Sequence, residues 1–362
     1  MNITSYNVTE VSYHYIGLRV LDRMPANSDR SQQTEAISRN ILKFVSDKAL
    51  RLMLPEPKGT FQTAGEKICQ ELVHFKFARS EQNRYELTER GKHALTLLAD
   101  RQHLELRCLM IGVHLQTYDN LREVVQTHLN EGSVWRPVVS SAHLSDPDYL
   151  ENLLKPTFGR DAVTAASDVS ENLTGQSPKK IEDSLRSKIL LQVMPTQKVG
   201  VALFRSICDR LVSLRLLNKS RVTVQNCEFE KTYSPCVVDE PSYPWYLPLQ
   251  VPLAGGETYQ IYLSEPDMTA REHQDRLMKG IDKAFTVLST VGGYYNIPEL
   301  RDWVCEDLMI PEAAFDDGIN HLLDRQPPVL SVGLQYDRIT SQRRPLVRTR
   351  QATQLHNLIR RL

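Results

Sequence analysis

The sequence has no Cys-x-x-Cys pair, no phosphate-cradling glycine loop and no surplus of either charge, and each absence removes a class of protein. Its six cysteines (Cys69, Cys108, Cys208, Cys227, Cys236 and Cys305) are scattered. They read as reduced thiols, several on apolar helix faces, which points to a cytoplasmic chain rather than a disulfide scaffold. There is no G-x-x-x-x-G-K-[ST] and no G-x-G-x-x-G after a strand, so nucleotide binding has no anchor. The histidines form no H-E-x-x-H or other zinc spacing, and G-x-S-x-G is missing. Formal net charge is zero, from 44 basic and 44 acidic side chains. The global field therefore gives no attraction for nucleic acid, and any such binding falls to a local patch. No apolar run reaches the roughly twenty residues of a membrane span. Met1–Thr9 is polar and lacks the apolar region of a signal peptide.

Two short motifs imitate catalytic ones. His103-Leu104-Glu105 has the H-x-E form of zinc deaminases, but no P-C-x-x-C follows, and it reads as an exposed helical histidine. Glu56-Pro57-Lys58 has the E-x-K form that some nucleases use with a metal, but it sits in a proline turn without an upstream acid. The expectation is a protein with no catalytic residues, no metal and no cofactor.

What is present is helical periodicity interrupted by short hairpins. The stretch Thr60–Leu98 organises it. Ile68, Leu72, Val73 and Phe75 fall three and four apart on one helix face. A hairpin follows, with Phe75–Arg79 running out, Ser80-Glu81-Gln82-Asn83 as the turn and Arg84–Leu87 running back. Thr88 is placed to cap the next helix, and Gly91 lets that helix lie close to its neighbour. Helix, hairpin, helix is the order of a winged-helix module. The run Tyr85-Glu86-Leu87-Thr88-Glu89-Arg90-Gly91 resembles the second wing strand of MarR- and PadR-type regulators, where Y-x-L-T-x-x-G is common. The resemblance is confined to this stretch and implies a DNA-binding fold.

At 362 residues the chain is expected to hold two or three domains. The fold class expected is mainly α with small β-hairpins (α+β), as tandem winged-helix modules joined by helical linkers. The first module spans 1–130. Val11–Leu21 reads as strand or short helix, Gln33–Leu54 as an amphipathic helix, and Ala94 to about Asn130 as one long helix broken near Gly112. Residues 131–176 are rich in Gly, Pro, Ser and Asp and read as a linker or insert, with short helices at Pro147–Leu154 and Arg160–Leu173. The second module, 177–290, holds helices Lys179–Val193 and Val199–Leu217 and strands Arg221–Phe229 and Thr232–Val238. Further strands near Tyr246–Val251 and Thr258–Leu263 extend its sheet, and Thr269–Thr290 is an exit helix. The third, 291–362, holds helices Pro298–Met309 and Glu312–Arg325, a strand Val329–Tyr336, a wing tip at Ile339–Arg344, a return at Leu346–Arg348 and a basic tail.

The candidate DNA-binding residues follow from that layout. The first module offers Lys67, Arg79 and Arg84, offset by Glu66, Glu71 and Glu81. The second offers Lys198, Arg205, Arg210, Arg215 and Lys219, with only Asp209 as an acid between Lys198 and Arg221. The third offers Arg338, Arg343, Arg344 and Arg348, in a stretch where no acidic residue follows Asp337. Arginine at a wing tip can enter a narrow minor groove and grip phosphate with a planar fork. Glu312, Asp316, Asp317 and Asp324 make the third module's second helix acidic and unsuited to DNA.

The leading expectation is a non-enzymatic protein that binds double-stranded DNA. It would serve as a regulator or as the DNA-engaging subunit of a larger prokaryotic assembly for chromosome or plasmid maintenance or defence. Its partners would be other proteins or a second copy of the chain, and no membrane. The first alternative is a scaffold using its winged helices for protein contacts, with Trp245, Tyr246, Tyr294, Tyr295 and Trp303 as interface aromatics. The second is a nuclease-like enzyme whose site is not visible as a motif.

Overall fold

A computed structural model of the chain describes residues 10–51, 63–131, 133–137, 201–224, 227–233, 245–252, 255–333, 346–348 and 354–362. These residues are mainly helical with small antiparallel sheets. Among them, no helix is long and apolar enough to cross a membrane.

The first unit is a helical bundle with a hairpin. Helix α1 is Ser12–Arg23, α2 is Arg30–Arg51 and α3 is Ala64–His74. The Val11–Leu21 segment is thus helix, because Tyr13, Gly17, Leu18 and Leu21 recur at helical spacing on its buried face. The hairpin is β1, Ala78–Glu81, and β2, Arg84–Leu87, paired from Ala78↔Leu87 to Glu81↔Arg84. It starts three residues later than the sequence reading placed it. Phe75 closes α3 instead, with its N–H on Glu71, and a two-residue turn at Gln82 and Asn83 takes φ of 42° and 61°. Positive φ at both central residues matches the twist of the flanking strands.

Helix α4, Glu89–Ala99, begins at Thr88, whose hydroxyl accepts from the Gly91 N–H at 3.2 Å. A Cβ on Gly91 would lie 2.1 Å from the Phe77 carbonyl oxygen. The glycine therefore serves close approach of α4 to the hairpin. Gly91→Ala should destabilise the fold by about 1–3 kcal/mol, the usual range for overpacking. A urea unfolding midpoint that does not move would refute the close approach.

The expected long helix from Ala94 is three helices: α4, then α5, His103–Thr117, and α6, Asp119–Glu131. The breaks fall at Arg101, which has φ 57°, and at the extended Tyr118. Gly112 sits inside α5 with open space around it.

Strand β3, Ser133–Pro137, enters a three-stranded sheet of order β3-β5-β4 with β4, Asn218–Val224, and β5, Cys227–Tyr233. So the start of the expected 131–176 linker is built into the middle sheet, while residues 138–176 lie outside the described residues. The strands of this sheet also begin earlier than expected. Helix α7, Val201–Ser213, stops at Ser213, and Arg215 takes φ 60°. Leu214, Leu216 and Leu217 are buried in the turn, which ends the helix but continues its apolar pattern. Strands β6, Tyr246–Pro252, and β7, Thr258–Ser264, form a separate two-stranded sheet rather than extending the middle one. The expected helices Pro147–Leu154, Arg160–Leu173 and Lys179–Val193 lie outside the described residues.

The C-terminal unit contains α8, Arg271–Phe285; β8, Thr290–Val291; β9, Tyr294–Asn296; α9, Ile297–Leu308; and α10, Glu312–Leu323. It continues with β10, Leu330–Gly333; β11, Leu346–Arg348; β12, Gln354–His356; and β13, Leu358–Arg361. The sheet order is β10-β13-β9-β8, all antiparallel. The return strand is therefore β13. Leu346–Arg348 pairs with β12 instead, and Arg360 and Arg361 belong to a strand rather than a tail. Arg361 meets Asp282 at 2.9 Å, and the Arg360 guanidinium lies 4.8 Å from the Tyr294 ring centre.

Two apolar cores hold the described residues. The first runs from α1 through α6 and takes in Val134, α7 and the inward residues of β6 and β7. It crosses the boundary expected near residue 130. The second is built by α8, α9, α10, β10 and β13 and takes in Tyr233, Trp245 and Tyr246. The middle sheet joins them. The Asn218 amide donates to the Ile310 carbonyl at 2.9 Å, and Lys231 is ion-paired with Glu306.

Candidate nucleic-acid interface

Helix α3 buries Ala64, Gly65, Ile68, Cys69, Glu71 and Leu72. The 3.6-residue repeat then leaves Glu66, Gln70 and His74 exposed and Lys67 half-buried on the other side. This outward stripe has one acid, one lysine, an amide and an imidazole, all groups that can meet base edges or phosphates. Gln70 donates to Glu66 at 3.3 Å.

The hairpin beside it carries Arg79, Arg84 and, from α2, Arg30. Arg79 pairs with Glu86 at 2.9 Å and Glu81 at 3.3 Å, and Arg84 pairs with Glu86 at 2.8 Å. Arg84 also donates to the Ala26 carbonyl, and Arg30 donates to Ser80 and lies over the Tyr85 ring. The hydrogen bond from Arg79 holds the Glu86 carboxyl below its ordinary range. Such exposed pairs contribute little to stability, so an arriving phosphate can replace the carboxylates at little cost.

The second group of candidates is placed differently. Arg210 is 1% exposed and is no phosphate ligand. Its guanidinium grips both oxygens of Glu71 at 3.0 Å and sits 5.8 Å from the centre of the Tyr118 ring. The reason is position: Arg210 follows Ile207 by three residues and precedes Leu211 and Leu214, on the apolar face of α7. Lys219 is held by Asp209 at 3.0 Å and Glu230 at 2.8 Å. Arg215 is exposed at the turn after α7. The side chain of Arg205, in α7, and the whole of Lys198 lie outside the described residues. So do Arg338, Arg343 and Arg344; Arg348 is placed only as a backbone position in β11.

Helix α10 meets the same chain at its start, where the Glu312 N–H donates to the Asn218 side-chain oxygen at 3.4 Å. Asp316 is bound by the buried Arg301 at 2.7 Å. Of the candidate interface aromatics, Trp245 and Tyr246 are core residues. Tyr295 stacks on Phe285 with ring centres 3.9 Å apart, and the Lys283 ammonium lies 5.2 Å from the centre of the Trp303 ring.

The most concentrated buried chemistry was not singled out from the sequence. His14 Nε2 and Glu71 Oε2 are 2.6 Å apart, a bond that requires the proton on Nε2. The His114 ring packs 5.5 Å from His14 and 4.5 Å from Phe75, with its Nδ1 on the Met110 carbonyl at 2.7 Å. Glu71 is held down to about 2: burial opposes this, and Arg210 and the His14 hydrogen bond overcome it. Burial, Arg210 and His14 push the His114 imidazole well below its ordinary value. This cluster joins α1, α3, α5 and α7. Its members are sealed from solvent, which suits a structural latch rather than a reaction centre. Among the described residues, no group of three or more His, Cys, Asp or Glu is placed to hold a metal.

No family model, curated protein or solved structure matches this chain.

Proposed function

We propose that this chain is a non-enzymatic DNA-binding protein built from winged-helix units, acting as a regulator or as the DNA-engaging subunit of a larger assembly. The observation that carries the reading is element order. In the first unit, three helices lead into hairpin β1–β2, and α3 presents Lys67, Gln70 and His74 beside it. In the C-terminal unit the order is helix, two short strands, two helices and four strands, and β9 and β10 both lie against β13. Both orders support the winged-helix reading.

DNA then meets the outward stripe of α3, with Arg79 and Arg84 on flanking phosphates. Arg210 takes no part. The test is fluorescence anisotropy with a labelled duplex over a salt series. Affinity should fall with salt along a log–log line whose slope loses about one unit for each phosphate contact removed. Arg79→Ala/Arg84→Ala should therefore flatten it by about two units, and Lys67→Ala/Gln70→Ala should weaken binding. An isolated chain that binds no duplex at low salt would sink the reading.

The second reading, a scaffold, draws support from one contact. The Glu312 N–H at the start of α10 donates to Asn218 of β4, so this helix already makes a contact with protein rather than DNA. Absence of duplex binding together with a defined protein partner would favour it.

A further inference from the structure

The C-terminal sheet has two unlike faces. Ile359 and Leu330 are buried in the second core, and Tyr295 stacks on Phe285 on the same side. Side chains alternate along a strand, so Leu358 and Arg360 of β13 and Tyr294 of β9 turn outward. The registers Leu358↔Asn296 and Val291↔Tyr294 set Arg360 on one side of Tyr294 and Val291 on the other. Val291 is 55% exposed, and Leu362, just past β13, is 59% exposed. A Cβ on Gly333 of β10 would lie 3.5 Å from the Tyr294 ring and 3.6 Å from the Leu358 Cβ. The ring therefore reaches across β13, and the glycine leaves a shallow dip beside it.

The charge on this face has one sign. None of the four strands holds an acidic residue. Arg361 points to the core side and is paired with Asp282. Arg360 is exposed and, among the described residues, makes no ion pair; its guanidinium lies over the Tyr294 ring. An exposed cation–π contact is weak, so the guanidinium can leave for a phosphate and open the ring face. An aromatic ring with a guanidinium beside it on an open sheet is a surface on which unpaired bases stack. Strands about 4.8 Å apart make the four-stranded sheet about 14 Å wide, a platform for about two or three bases. Duplex DNA keeps its base faces inside its own stack and has none to lay on Tyr294.

We propose that the outward face of this sheet binds a single-stranded nucleic acid, with one base stacked on Tyr294, a phosphate held by Arg360, and Val291 and Leu358 packed against neighbouring bases. The inference goes beyond the duplex contact of α3, uses none of its residues, and stands or falls separately from it.

The test is fluorescence anisotropy of the full chain with short labelled oligo(dT) and oligo(U) strands, and with an abasic strand of the same length that keeps the phosphates and lacks the bases. Tyr294→Ala, Tyr294→Phe and Arg360→Ala would run alongside, with circular dichroism to check their folding. At least one of the two base-bearing strands should bind saturably, and the tighter one tells DNA from RNA as the source. The abasic strand should bind about tenfold or more weakly, as should the base-bearing strand to Tyr294→Ala, because stacking on the ring is lost. Tyr294→Phe keeps the ring and should keep the affinity. Arg360→Ala should flatten the log–log salt slope by about 0.7, the value for one phosphate of a single strand. Lys67→Ala/Gln70→Ala should leave single-strand binding unchanged, which separates this face from α3. Equal binding of abasic and base-bearing strands would overturn the proposal. So would unchanged affinity in Tyr294→Ala, no single-strand binding at low salt, or a face that proves to be covered by a second copy of the chain in sedimentation.

Discussion

Replacing Arg210 by alanine should destabilise the folded chain by about 3–5 kcal/mol, the usual cost of leaving a buried charge without its partner. In a thermal melt that is a fall in Tm of roughly 10 °C. Glu71 is 7% exposed and accepts from Arg210 through both oxygens and from His14 through one. Without the guanidinium, a carboxylate stays buried with only neutral support, from the His14 imidazole and the Tyr118 hydroxyl. Glu71→Gln should be similarly severe, because it leaves Arg210 charged in the same space. The apolar double replacement Glu71→Leu/Arg210→Met should recover most of the loss, since a buried pair often contributes little beyond an apolar pair of the same volume. An Arg210→Ala variant within about 1 kcal/mol of wild type would show that α7 does not lock onto α3 through this pair. It would also return Arg210 to the list of cations open to DNA.

Stability should fall steeply on mild acidification, and His114 should be the main cause. Its ring is fully buried, and Arg210 and His14 both disfavour a charge there. The unfolded chain binds a proton at this histidine below about pH 6.5 while the folded chain does not. The folded state therefore loses ground as pH falls, at up to about 1.4 kcal/mol per pH unit. Glu71 adds a second limb of the same sign lower down. Its folded value of about 2 lies under the ordinary carboxylate value of 4.5. The stability it confers is present above about pH 4.5 and is lost as pH falls towards 2, of order 3 kcal/mol in all. Urea midpoints at pH 7.5, 6.5 and 5.5 would resolve the first limb. His114→Gln, which carries no titratable proton there, should flatten it. A variant that loses stability on acidification as wild type does would place the effect elsewhere.

Much of the cluster behind both predictions was readable from periodicity alone. Glu71 follows Ile68 by three residues and precedes Leu72, so it shares the inner face of α3. Arg210 bears the same relation to Ile207 and Leu211. A charged residue on an apolar face needs a partner, and two such residues of opposite sign are a candidate pair. Counting Arg210 among a row of cations hid this, because charge density along a sequence ignores which face each residue occupies. That the two meet across 139 positions follows only from how α7 docks on α3. Arg79 and Arg84 were legible as hairpin cations, but their pairing with Glu81 and Glu86 depended on the strand register. Ala78, rather than Phe75, begins β1, and that places Arg79 opposite Glu86.

The sequence by itself determined the local pieces. Apolar residues three and four apart made the helices, Thr88 and Asn296 capped two of them, and Gly91 and Gly292-Gly293 marked a close approach and a tight turn. These are short-range effects of backbone sterics and hydrogen bonding, and they need only neighbours in the chain. Tertiary structure decided where the units begin and end. Leu214, Leu216 and Leu217 carry a helical pattern past the end of α7 because the core, not the helix, uses them. β13 pairs with β10 and β9, in place of the nearer Leu346–Arg348, because only the assembled C-terminal core brings those edges together. Burial, pairing and register are long-range choices among locally equivalent options. They placed Arg210 in a buried pair with Glu71, Lys219 between Asp209 and Glu230, and Arg215 at the exposed turn after α7.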